Sequence, residues 1–365
     1  VPFADQLIDS RTADDLAAAI ALVHTSTAEL DAAGARLAGL ALRERADLLR
    51  DALLADVPGS YAELARVVRA ARSATFRGWL IWPVTAAVAT RAVEDPDDTA
   101  FDDALALLAE LTGLLTSEFA IRILLRHDLD RALATIATWT ASGDEHVRRL
   151  ASEGTRPYLP WSVRVPALTG RPGATVPILD GLYRDESEYV RRSVANHLND
   201  LSRDAPALVT ETAARWLADP DENTARLVRH ALRTLVKRGD PAALALLGFP
   251  SAADSLEIDG PHLDRAVVAM GGAVEFRASI RNIGSEALRL AVDYVVHHRK
   301  SNGGQTSKTF KLTTATVRPG DVLEVRRAHS FRAITTRRYY AGPHAIALQI
   351  NGVETERAVF DLVAE

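Results

Sequence analysis

The sequence predicts a multidomain chain, α then β: a HEAT-like α-solenoid over residues 1–250, followed by an immunoglobulin-like β-sandwich over residues 254–365. Three observations carry this. Apolar residues recur at helical spacing up to about Phe249 and with period two after it. Three helical segments align at offsets of 43 and 35 residues, close to the ~40-residue period of stacked helix pairs. Turn signals then divide the remaining chain into about seven short strands, as a sandwich requires.

From the amino terminus, Thr12-Ala13-Asp14-Asp15 reads as a capped start, with Leu16, Ile20 and Leu22 at helical spacing behind it. Further helices are expected over Arg43–Ala55, Ser60–Arg72, Asp98–Thr112, Ser117–His127 and Leu129–Ala141. The aligned segments are Glu145–Leu150, Glu188–Ser193 and Asn223–Val228, each preceded by an acidic turn. Such units cannot bury an apolar face alone, so they stack into an arc with a concave side. The helix after Asp144 stops at Gly154, and Pro157 and Pro160 stiffen the turn that delivers Trp161. Arg149 and Glu153, four apart, can pair on one face. An ion pair beside an indole is a candidate site, and ordinary helical core accounts for the same residues.

The period changes at Pro250–Asp254. Val274–Ile280, Leu288–Val296 and Ile346–Ile350 alternate, and Asn282–Gly284, Asn302–Gly304, Arg318–Asp321 and Asn351-Gly352 supply the turns. Ser301–Lys308 resembles a phosphate loop but lacks the Walker spacing, so a hairpin loop is the better reading.

With 47% hydrophobic and 25% charged residues, the chain has the composition of a soluble globular protein. No apolar run reaches the ~18 residues of a membrane span and no signal peptide opens the chain, so a cytoplasmic monomer is expected. The absence of cysteine excludes disulfides, thiolate metal sites and cysteine nucleophiles. Ten histidines are scattered, without His-Glu-x-x-His, and His297 and His298 are strand neighbours facing opposite ways. Neither a metal nor a cofactor is expected.

The net charge of −5 hides a gradient. Residues 1–120 carry 10 basic and 19 acidic side chains, whereas the window Arg277–Arg338 carries 13 and 4. Local field decides where a polyanion docks. That window supplies Lys308, Lys311, Arg326, Arg327, His329, Arg332, Arg337 and Arg338, with Phe331, Tyr339 and Tyr340 among them. Phosphate contacts favour this mixture, and a solvated sandwich face also accommodates it.

Three carboxylates, Glu118, Glu153 and Asp200, lie near equivalent ends of successive helical units. Glu118 is four before Arg122, so a surface pair is its plain alternative. Asp200 closes a helix, where an acid opposes the dipole.

These parts together resemble AlkC-type DNA-3-methyladenine glycosylases: helical repeats, an appended immunoglobulin-like domain, Ser117-Glu118-Phe119, Arg149-x-x-x-Glu153, Trp161 and Asp200. Phe331–His344 and Gln349–Gly352 fit the same family, and the resemblance is weakest over the first hundred residues. It implies hydrolysis of the bond between deoxyribose and a cationic base, notably 3-methyladenine and 3-methylcytosine, in double-stranded DNA, as the first step of base excision repair. It makes Glu118, Glu153 and Asp200 the pocket carboxylates, sets Trp161 against sugar or lesion, and has Phe119 wall the pocket while Arg149 orients the acids. The resemblance also implies that the lesion is not fully flipped, so the snug base pocket usual among glycosylases should be absent. Arg148, Arg156, Arg191, Arg192 and Arg229 are then expected at phosphates, with the sandwich residues as a second grip. No lysine precedes Lys237, so a Schiff-base nucleophile is not expected and the enzyme should be monofunctional. The rivals are a non-enzymatic HEAT scaffold and a damage-binding protein without base release.

Overall fold

The structure, a computed structural model, describes residues 6–73, 75–333 and 338–364. They divide into two compact units, residues 1–231 and 232–365. In the first unit the helices are α1 (Ser10–Ala21), α2 (Ala28–Gly34), α3 (Leu42–Asp56), α4 (Tyr61–Ala70), α5 (Ile81–Glu94), α6 (Thr99–Leu111), α7 (Ile121–His127), α8 (Leu129–Thr138), α9 (Glu145–Glu153), α10 (Pro166–Gly170), α11 (Val176–Leu182), α12 (Glu188–Leu201), α13 (Pro206–Ala218) and α14 (Thr224–Ala231). Two more, α15 (Arg233–Arg238) and α16 (Pro241–Leu246), belong to the second unit.

Apolar stripes sort the first unit's helices into two layers. Along one layer α3 packs on α5, α5 on α7, α9 on α12 and α12 on α14; along the other α4 packs on α6, α6 on α8 and α8 on α11. Val190, Val194 and Leu198 of α12 are fully buried in this stack, at the i, i+4, i+8 spacing that one helix face demands. The start of α1 lies earlier than the Thr12 cap suggests. Asp9 is the cap: its carboxylate accepts from the Thr12 amide at 2.9 Å and the Thr12 hydroxyl faces back to the Asp9 amide.

The aligned segments open α9, α12 and α14, and their arginines explain the alignment. Arg148 donates to both oxygens of Asp185 (2.7 and 3.1 Å) and to the Ser142 carbonyl at 2.9 Å. Arg191 donates to the carbonyls of Asp185 (2.5 Å) and Glu186 (2.9 Å). The acidic turn before α12 is thus clamped by an arginine from each side. Both guanidiniums are buried: where phosphate contacts were expected of Arg148 and Arg191, the structure places both side chains in the repeat stack. Arg192 and Arg229 are exposed, and Arg192 lines a cleft between α12 and α14 together with Arg226 and His230.

The second unit carries β1 (Leu256–Leu263), β2 (Val267–Ala269), β3 (Ala273–Asn282), β4 (Leu288–Arg299), β5 (Gln305–Val317), β6 (Val322–Ser330), β7 (Gly342–Ile350), β8 (Val353–Glu354) and β9 (Ala358–Val363). One sheet has the order β1-β3-β6, the other β2-β9-β7-β4-β5 with β8 on β7; β2–β9 is parallel and the other pairs are antiparallel. Alternate residues of the two sheets meet in a core of Phe276, Ile280, Val292, Tyr294, Phe331, Leu348 and Phe360. Nine strands among the described residues exceed the seven expected, since β2 and β8 hold only 3 and 2 residues, too few for a periodic signal. Ser301–Gly304 is indeed a hairpin turn, with Arg299 opposite Gln305. Asn351 and Gly352 join β7 to β8 at φ 44° and 88°, the two positive angles that a type I′ turn needs. His297 and His298 do face apart: one meets Glu354 at 2.8 Å, the other packs its ring near Phe331 and Tyr339.

Candidate active site

Glu118 precedes α7 on a turn set by its own neighbours. Ser117 donates its buried hydroxyl to the Leu108 carbonyl at 2.7 Å, and Thr116 donates to Glu118 Oε2 at 2.8 Å. Glu153 ends α9, and Asp200 lies in the last turn of α12, two helices that pack directly together. Stacking of the units therefore draws three acids from three successive segments into one row.

Arginines alternate with them. Arg149 bonds Glu118 through Nη1 and stands 3.6 Å from Glu153 through Nη2. Arg156 reaches Glu153 Oε1 at 2.6 Å and Asp200 Oδ2 at 2.9 Å. The row reads Glu118–Arg149–Glu153–Arg156–Asp200, all buried or nearly so, with a formal charge of −1 from three acids and two bases. Ser193 donates to Glu153 Oε2 at 2.7 Å, and the Arg149 guanidinium lies 5.0 Å from the Tyr189 ring centre. Burial pushes the Glu153 carboxyl up, but Arg149, Arg156 and the Ser193 hydroxyl outweigh it and hold its pKa below the usual range. Burial likewise opposes the charge of Arg156, and Glu153 and Asp200 more than restore it. His197 is buried behind the row between the Ser152 carbonyl (2.8 Å) and Thr175 (3.0 Å), and desolvation lowers its pKa to about 4.

Arg156, expected at a phosphate, is placed by the structure between Glu153 and Asp200. Its position three residues after Glu153 was the available signal. The same bond answers the dipole argument at Asp200, because a guanidinium at 2.9 Å outweighs a helix end. Glu118 does not pair with Arg122. That side chain instead donates to the carbonyls of Val163 (2.6 Å), Gly154 (3.1 Å) and Arg156 (2.7 Å).

Trp161 is 54% exposed and has φ 58°, a left-handed conformation that costs a non-glycine residue roughly 1–3 kcal/mol. Its carbonyl accepts from Arg43. Its indole lies 6.4 Å from Trp79, which lies 6.3 Å from Trp82, which stacks at 4.1 Å on Phe119. A continuous aromatic row therefore runs from the exposed indole to the residue beside Glu118. Trp79 and Trp82 had no distinguishing signal in the sequence, since nothing local relates them to Trp161.

In the strand unit, four of the expected basic residues fall on the edge strands of two different sheets. Lys308 and Lys311 are on β5, and Arg326 and Arg327 on β6. Arg326 pairs with Glu275 at 2.6 Å and Lys308 lies over Phe310 at 5.2 Å. Lys311, Arg327, Arg332 and Arg338 are exposed, while Arg337 lies outside the described residues. Charged edge strands also resist sheet-to-sheet aggregation. Among the described residues no three His, Asp or Glu side chains are grouped to hold a metal, and no helix is long and apolar enough to cross a membrane.

Residues 257–364 match the family model described as the C-terminal Ig-like domain of the uncharacterised protein YhaZ. Over 313 residues the chain is 34% identical to uncharacterized protein YhaZ of Bacillus subtilis (strain 168), covering 86% of this chain and 85% of that one. It also matches the solved structure of Pseudomonas fluorescens alkylpurine DNA glycosylase AlkC bound to DNA containing an abasic site analog, with a TM-score of 0.82 and 32% identity over 100% of both chains. With its repeat helices, its Ig-like sandwich and this full-length likeness, the chain belongs to the family of YhaZ and AlkC.

Proposed function

We infer that the protein is a monofunctional DNA glycosylase that hydrolyses the N-glycosidic bond of cationic alkylated bases, 3-methyladenine and 3-methylcytosine, in double-stranded DNA. The product is an abasic site, the substrate of the next step in base excision repair. The observation that carries this reading is the buried row of three acids and two arginines with its net negative charge, linked by aromatic rings to an exposed indole.

Ordinary glycosides need an acid to protonate the leaving group and a second carboxylate on the other face. An alkylated base already carries its positive charge. When the C1′–N bond breaks, the electron pair stays with the base, which leaves neutral, and the sugar becomes an oxocarbenium-like cation. The protein then has to stabilise that cation and orient one water, whose proton is lost as the new C–O bond forms. Ionised carboxylates do both.

The bonding pattern divides the acids. Both oxygens of Glu153 are engaged, by Arg156 and by Ser193. Glu118 meets Arg149 and Thr116 through Oε2, and Asp200 meets Arg156 through Oδ2. Glu118 and Asp200 are therefore the acids that face sugar and water, and Glu153 is the hub that keeps both arginines in place. Trp161 adds an indole face for the cation, worth about 0.5–2 kcal/mol. Arg192, Arg229, Lys311, Arg327, Arg332 and Arg338 supply exposed charge for phosphates.

The test is release of free base. Purified protein is incubated with DNA methylated at adenine N3 and cytosine N3, and the supernatant is resolved chromatographically. Free 3-methyladenine is expected, without strand cleavage. Salt-sensitive DNA binding with no base released would leave a damage-binding protein instead.

A further inference from the structure

We propose that Arg122 is a positioning residue of the Trp161 turn, setting the indole in register with the row of acids. The proposal rests on the excision reading above and adds a residue to it. Arg122 is fully buried on α7. Its hydrogen bonds go to carbonyl oxygens, with Nη2 left without a partner. A buried cation bonded to no carboxylate is an expensive way to fill space, and packing alone has no use for its charge.

What the fork does is specific. Two of its acceptors, the carbonyls of Gly154 and Arg156, lie at the end of α9, and the third, that of Val163, lies two residues beyond Trp161. One rigid, planar group with donors at fixed angles thus ties both ends of the turn. A residue held at φ 58° keeps that conformation only where its surroundings over-determine it. Those surroundings are Arg122, the Arg43 bond to the Trp161 carbonyl, and the Trp79 ring. Arg156 links the two halves of the site, since its carbonyl is held by Arg122 while its side chain holds Glu153 and Asp200. Arg122 itself follows Glu118 by four residues, at the start of α7, so its side chain references the indole to the acids on either side.

The experiment compares wild type, Arg122→Met, Arg122→Lys, Trp161→Ala and the double variant Arg122→Met/Trp161→Ala as full-length proteins. Single-turnover excision of 3-methyladenine, DNA affinity and the near-ultraviolet circular dichroism of the Trp79–Trp161 pair are measured. Arg122→Met is expected to slow excision about as much as Trp161→Ala, with DNA affinity changed less than about threefold. The double variant should be no slower than Trp161→Ala, because residues acting as one unit are non-additive. Arg122→Lys should recover part of the rate, as an ammonium still donates to some of the carbonyls. The dichroism that Trp161→Ala removes should also be absent from Arg122→Met. Intact dichroism in Arg122→Met, or effects that multiply in the double variant, would overturn the proposal. Should the methionine variant fail to fold, Arg122→Lys and Arg43→Ala carry the same readouts. If wild type releases no base, the excision reading fails, and the dichroism alone still decides whether Arg122 places the indole.

Discussion

Replacing Arg156 by methionine removes one of the two positive charges in the buried row and takes its formal charge from −1 to −2. Glu153 would keep Arg149, at 3.6 Å, and Ser193; Asp200 would lose the guanidinium that binds it. Breaking a buried pair from one side costs about 3–5 kcal/mol, because the remaining charge stays uncompensated. For a helical unit of this size that corresponds to a drop in Tm of about 6–20 °C. The pH dependence is the sharper signature. In the wild type the Glu153 pKa is depressed, so its contribution is present above the unfolded carboxylate pKa and lost as pH falls through the folded one. Without Arg156, only Arg149 and Ser193 oppose burial, so the Glu153 carboxyl pKa is expected to rise and protonation to relieve the variant before it harms the wild type. The stability gap should therefore be largest near neutral pH and narrow as pH falls into the carboxylate range. Urea unfolding at a series of pH values, on wild type and Arg156→Met, measures it. A gap below about 1 kcal/mol, or one that does not change with pH, would refute the claim that Arg156 exists to compensate these acids.

Glu118→Gln and Asp200→Asn should each slow excision about 10²-fold or more while DNA affinity changes little, as expected for charges used in the transition state; an equal loss of rate and affinity would make them binding residues. Arg148→Ala should destabilise by about 3–5 kcal/mol through the stranded Asp185 and leave the salt slope of DNA binding unchanged, whereas Arg192→Ala or Arg229→Ala should reduce that slope by about one phosphate contact and leave stability alone. Unfolding midpoints and salt titrations separate the two. His197, with its pKa lowered to about 4, contributes stability that is complete above about pH 6.5 and lost as pH falls through about 4. His197→Asn should flatten that part of the acid-unfolding profile by about 3 kcal/mol.

Much of the fold was legible because its signals are local. A 3.6-residue period, polar caps and a shift to period two at Pro250–Asp254 are properties of short windows, and so is the Asn351-Gly352 turn. The Arg149–Glu153 spacing was legible for the same reason, since four residues on a helix are neighbours whatever packs around it. The repeat alignment was also visible, although its cause was not: Arg148 and Arg191 recur because they clamp the turn before α12.

What only the tertiary structure decided was how each charge is spent. Arg156 and Asp200 are 44 residues apart, and Arg122 and Val163 are 41 apart. Trp79 meets Trp161 across a still longer stretch of chain. An arginine looks the same in sequence whether it binds phosphate, clamps a turn or neutralises a buried acid. The choice depends on which groups the adjoining helical unit presents and on how much water its packing removes, and neither quantity belongs to any single stretch of the chain.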